Sequence, residues 1–105
     1  MYDFEIDFSD STAVYDIYFY TRTDCARASS VPVPLRLDIW WVAPSQSVYD
    51  ESVFMKTGDY RGLKQLYRKG VVPSENGVWK LCVKPDNVPP HFRGLGVVCD
   101  KNGTR

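Results

Sequence analysis

The run Leu35-Arg36-Leu37-Asp38-Ile39-Trp40-Trp41-Val42 alternates without a break, with Leu35, Leu37, Ile39 and Trp41 on one face and Arg36, Asp38 and Trp40 on the other. A period of two is the mark of a strand with one face in a core and one in water. Ala43-Pro44-Ser45 then stops the run, because a turn former and a residue without an N–H follow one another.

The same alternation recurs on both sides. Upstream, Asp3 to Phe8 sets Phe4, Ile6 and Phe8 against Asp3, Glu5 and Asp7, and Ser9-Asp10-Ser11 supplies short oxygen-bearing side chains for a turn. Val14 to Thr23 follows, with Tyr15, Ile17 and Phe19 on one face and Tyr18 and Tyr20 on the other. Asp24 to Pro34 reads as the longest connection, since Pro32 and Pro34 cannot donate to a ladder. Downstream, Tyr49 to Thr57 is a strand with Tyr49, Val53 and Met55 inward, closed by Gly58-Asp59.

Asp59 to Gly70 admits two readings. Leu63, Leu66 and Tyr67 fall at helical spacing between an Asp and a Gly that could cap a short helix near 60–69. Alternatively Lys64 to Val72 is a strand ending at Pro73, with Ser74-Glu75-Asn76-Gly77 as a hairpin turn into Val78 to Lys84. Trp79, Leu81 and Val83 then point inward. After a turn over Pro85 to Pro90, Arg93 to Cys99 supplies the last strand, where Gly94 and Gly96 alternate with Leu95 and Val97. The polar tail Asp100 to Arg105 is expected to fray.

About seven short strands, spaced by turn formers, predict a mainly β domain: an antiparallel, two-sheet, immunoglobulin-like β-sandwich. At 105 residues the chain fits one domain, assigned to residues 1–100. Thirteen basic and thirteen acidic side chains leave no net charge, which disfavours nucleic acid as a partner. No apolar run has the length of a membrane-spanning helix.

Candidates for chemistry are few. The single histidine, His91, stands between Pro90 and Phe92 in an expected turn and has no second ligand beside it, so no metal site is read from it. Ser29, Ser30, Ser45 and Ser47 lack a nucleophile's glycine frame. The acids Asp3, Glu5, Asp7, Asp50 and Glu51 fit a wet strand face better than a calcium loop, for which the required spacing is missing. Of Cys25, Cys82 and Cys99, the last two could pair if their strands are neighbours, or pack as buried thiols. No catalytic residue, metal or cofactor is expected.

Binding is the remaining reading. Tyr18, Tyr20 and Trp40 oppose the inferred core and would mark a protein-binding or carbohydrate-binding surface, unless a loop or a neighbouring subunit covers them. Arg61, Lys64, Arg68 and Lys69 form a basic cluster that could meet an anionic partner or simply be solvated.

The order Phe4-Glu5-Ile6-Asp7, Tyr15-Asp16-Ile17-Tyr18-Phe19-Tyr20-Thr21-Arg22 and Leu35 to Val42 resembles the gliding-motility lipoprotein (GldH-type) family of Bacteroidetes. The ending resembles it too, in Gly77-Val78-Trp79-Lys80-Leu81-Cys82-Val83 and Phe92-Arg93-Gly94-Leu95-Gly96-Val97-Val98. That resemblance implies an envelope protein, lipid-anchored and facing the periplasm, with a non-catalytic part in a motility or secretion assembly and a protein partner. It implies a lipidated cysteine upstream of Met1; with no targeting segment there, a cytoplasmic protein is expected instead.

Overall fold

The computed structural model describes residues 1–24, 34–58, 60–88 and 91–104. Within them lie seven strands: β1 (Tyr2–Asp7), β2 (Ala13–Thr23), β3 (Leu35–Val42), β4 (Val48–Met55), β5 (Leu63–Val71), β6 (Val78–Asp86) and β7 (Phe92–Thr104). They form two antiparallel sheets in the orders β1-β6-β3-β4 and β5-β2-β7. The chain is a β-sandwich.

Side-chain alternation builds the core between the sheets. Ile6, Leu35, Leu37, Ile39, Trp79, Leu81 and Val83 come from one sheet, and Tyr15, Ile17, Phe19 and Leu95 from the other. Each belongs to a face that the sequence turns inward, because alternate residues of a strand point to opposite sides.

The region 60–69 holds no helix: Tyr60 and Arg61 lie in a turn, and β5 begins at Leu63. This strand turns Leu63, Gln65 and Tyr67 inward and Lys64 and Leu66 outward, and the bulge beyond Tyr67 brings Arg68 opposite the inward Ile17. Pairing with the aromatic strand β2 supplies neighbours that an isolated helical spacing could not, and tertiary pairing overrides the weak local preference. The strand is bulged where Tyr15 faces Val71 but Ile17 faces Arg68. Gly70 takes φ +67° there and donates its N–H to Asp16 Oδ1 at 2.9 Å. Asp16, although buried, is thus satisfied, and its Oδ2 accepts from Asn102 Nδ2 at 2.6 Å.

Two further expectations are corrected and one open alternative is decided. The segment 74–77 is not a hairpin turn, because β5 and β6 lie in different sheets. The tail does not fray at Asp100: β7 runs on to Thr104, pairing Ala13 with Thr104 and Tyr15 with Lys101. Cys82 and Cys99 are free thiols on opposite sheets, so no disulfide joins them. Cys25, Ser29, Ser30 and most of the Asp24 to Pro34 connection lie outside the described residues, as do Asp59, Pro89, Pro90 and Arg105.

The turn after β1 works as its composition suggests. Asp10 Oδ1 accepts from Thr12 N at 2.9 Å and Thr12 Oγ1 at 2.6 Å, which holds the Asp10 carboxyl down at about 2.

The central pairings β2–β5 and β3–β6 are those of the second with the fifth and the third with the sixth strand in immunoglobulin domains. The outer strands are exchanged relative to that arrangement. Here β1 lies on β6 and β7 lies on β2. Only β3 and β4 are consecutive and paired; every other connection crosses between sheets.

Candidate binding cleft between the sheets

On one side of the sandwich β1 meets β7; on the other, the edge strands β4 and β5 face each other across the gap between sheets. The far end of this gap is laced shut. Gln65 bonds the backbone of Lys56 through both ends of its amide, accepting from the N–H at 3.0 Å and donating to the C=O, and Gly58 N donates to Thr21 Oγ1 at 2.9 Å.

Toward the start of β4 the gap opens into a cleft of about 350 Å³. That volume is in the range of small-ligand sites. Its walls are aromatic because three inward positions converge: Trp41 and Tyr49 face each other across β3 and β4, and Trp79 comes from β6. Trp79 stacks on Tyr49 (6.0 Å between ring centres, 26°) and meets Trp41 edge to face (6.2 Å, 77°). Phe8 stacks on Trp41 at 6.0 Å. Both indole N–H groups are used elsewhere, Trp41 Nε1 on Tyr67 Oη at 3.2 Å and Trp79 Nε1 on the Glu75 carbonyl at 3.0 Å. What the two indoles present to the cleft is therefore ring surface, beside aliphatic walls from Ile17, Val71, Val72 and Pro73.

One rim of the cleft is polar. Glu51, on the inner face of β4, accepts from the Tyr67 hydroxyl and from Arg68 Nη2. An inward acid on an edge strand can serve to discourage pairing. Arg68 neutralises this one, and its guanidinium is pushed further up by its hydrogen bond to Tyr67 and by the Glu51 charge.

Burial, followed by the hydrogen bond to Glu51, pushes the Tyr67 hydroxyl up to about 12. The folded protein thus keeps a proton that the unfolded chain releases near 10. The stabilisation is complete below about 10 and is lost as pH rises through about 12. Urea stability should fall over that window, and Tyr67→Phe should flatten the slope; an unchanged slope in that variant would assign the effect to another group.

The surface aromatics proposed from sequence do not form one surface. Tyr18 and Tyr20 are on the outer face of the β5-β2-β7 sheet, whereas Trp40 is on the outer face of the other sheet, opposite Asp50 and Cys82. Tyr18 is half-buried with Lys64 Nζ 4.3 Å from its ring centre. Tyr20 lies over Gly62, where an added Cβ would come within 1.8 Å of the Tyr20 hydroxyl. With Leu66 and Val98 alongside Tyr18, this outer face carries a small apolar patch.

The basic cluster disperses in the same way. Arg68 turns to Glu51, Lys64 bridges to Asp100 at 3.6 Å, Arg61 rests against the Tyr60 ring at 5.8 Å, and Lys69 is exposed beside the bulge. Exposed pairs of this kind contribute little stability.

His91 is an exposed turn residue at φ 64° whose carbonyl accepts from Asp24 N at 2.9 Å. Burial, with the neighbouring Asp100 charge, pushes the Cys99 thiol up to about 11, well away from reactivity at neutral pH. Among the described residues no group of three or more His, Cys, Asp or Glu could hold a metal ion.

Sequence reasoning placed Trp41, Tyr49 and Trp79 in the core but did not show that the core is open there. The available signal was Glu51, a charge between Tyr49 and Val53 on a face otherwise turned inward. No family model, curated protein or solved structure matches the chain.

Proposed function

We propose that this chain is a non-catalytic binding domain that holds a protein partner at the cleft between β4 and β5. The observation that carries this reading is the cleft itself, an aromatic-walled opening at which Tyr49, although on an inner face, stays 51% exposed. Interfaces are anchored by large side chains seated in such pockets. The polar groups at its rim support binding over acid–base chemistry: Glu51 is held by Arg68 and Tyr67, and Tyr67 gives up its proton only near 12.

The location in the cell envelope, with a lipid anchor and a part in a motility or secretion assembly, rests on the likeness to the gliding-motility lipoproteins. Its test is the gene upstream of Met1, where a lipidation cysteine is expected and a plain cytoplasmic start would remove this part of the proposal. Carbohydrate binding through Tyr18, Tyr20 and Trp40 loses its platform, because those rings are on opposite outer faces.

Affinity capture from envelope extracts tests the cleft. A protein retained by the wild type and by Leu66→Ser, but lost with Tyr49→Ala, is the expected result. Tyr49 is half-exposed, so its truncation leaves the fold intact, and truncating an anchor typically weakens binding by about 2 kcal/mol or more. Loss with Leu66→Ser alone would move the site to the outer face around Tyr18 and Tyr20.

A further inference from the structure

The four sheet edges are not alike. β1 is short and alternates Asp3, Glu5 and Asp7; β5 carries Lys64, Arg68, Lys69 and a glycine bulge; β7 has two register shifts, Lys101 and Gly103 at φ +98°. Charge, lysine and bulges are the usual means of keeping an edge from pairing. β4 has neither a bulge nor a lysine nor a proline, and its inward acid, Glu51, is tied up by Arg68. It pairs with β3 in unbroken register over all eight residues, and Val48, Tyr49 and Phe54 are 60%, 51% and 69% exposed.

We infer that β4 receives an added strand, an extended segment of the partner protein in which a bulky apolar residue is directly adjacent to a lysine or arginine. This rests on the reading of the cleft as a partner site and specifies its mode. A strand laid on β4 continues the four-stranded sheet, so its side chains alternate between the gap and the outer face. The residue beside Tyr49 enters the cleft against Trp79, Val72 and Pro73. The next residue lies beside Asp50 on the outer face.

The charge at that place selects the neighbour. Asp50 faces Trp40 across the ladder and has no ion-pair partner among the described residues, whereas Glu51 is already neutralised by Arg68. A cation beside Asp50 makes a favourable cross-strand pair, and an anion an unfavourable one. The same argument disfavours a second copy of this chain. Antiparallel self-pairing centred on β4 puts Asp50 or Glu51 of one copy opposite or diagonal to an acid of the other.

A displayed library of random decapeptides panned on the intact protein, with Tyr49→Ala for subtraction, tests this. The expected winners pair a large apolar residue with an adjacent Lys or Arg, and a synthetic winner protects β4 amides from hydrogen exchange while leaving β1 and β5 unchanged. Asp50→Lys should weaken that peptide about tenfold and restore binding to a counterpart carrying glutamate in place of its cation. Winners that bind in a Tyr49-dependent way without protecting β4 would overturn strand addition and leave the cleft reading standing. Absence of any Tyr49-dependent winner, or a dimer in sedimentation that protects β4 without peptide, overturns the proposal; loss of the extract partner as well would take the cleft reading with it.

Discussion

Phe19→Ala is expected to remove about 3–5 kcal/mol of folding free energy, the usual loss when a buried aromatic ring is cut back to a methyl group. Phe19 is 0% exposed in the centre of β2, flanked by Gln65 and Val97 across the two ladders. Its ring lies 4.8 Å from that of Tyr67. The cavity cannot collapse easily, because the surrounding backbone is held in both directions by strand pairing. Domains of this size are stable by about 5–15 kcal/mol, so the loss is a large part of the total. Urea unfolding followed by tryptophan fluorescence should show the midpoint falling by roughly 2 M. A change below about 1 kcal/mol would mean that the core is not packed around this ring. Because Tyr67 loses a wall, the high-pH slope described above should shrink in the same variant.

Gly58→Ala should cost about 2–3 kcal/mol, although it adds a single carbon. An added Cβ at Gly58 would come within 2.3 Å of the Thr21 carbonyl oxygen and 2.6 Å of the Leu63 N. Both are backbone atoms of paired strands, so relief requires moving β2 or β5, not rotating a side chain. The shift would also pull Gly58 N from Thr21 Oγ1, where the hydrogen bond is now 2.9 Å. Gly70→Ala is the informative comparison. Nothing lies within 4 Å of a Cβ there, and φ is +67°. Its cost is conformational only, about 1 kcal/mol. Thermal or urea unfolding of the two variants separates steric from conformational demand; equal losses would show that the connection after β4 yields more readily than its contacts imply.

The strand at Leu35 to Val42 was legible to the residue, because a full alternation bounded by Ala43-Pro44 leaves no other period. The β1, β2 and β6 faces were equally plain. The region 60–69 was not, since Leu63, Leu66 and Tyr67 satisfy a helical spacing and only pairing with β2 makes a strand of it. The tail is illegible in the sequence for a related reason. Polar residues from Asp100 to Thr104 carry no strand pattern of their own and are ordered by β2, with Asp16 and Asp10 receiving Asn102 and Lys101.

The candidate site divides in the same way. Inward positions for Trp41, Tyr49 and Trp79 follow from alternation, but alternation says nothing of which sheet a strand joins. Tyr18 and Tyr20 therefore looked like companions of Trp40 until the two sheets separated them. Arg68 counted with the basic residues until Glu51, seventeen residues earlier, took it.

Outside β5 and the last residues of β7, the amino-acid pattern by itself determined the strands and the face each one buries, because side-chain direction is a local property of extended backbone. Tertiary structure alone decided that β1 joins β6, that β7 joins β2, and that β4 is left as an open edge over an aromatic cleft. Those choices depend on hydrogen bonds between residues far apart in the chain, and backbone donors and acceptors are the same at every residue except proline. No side-chain pattern along one strand can name its neighbour.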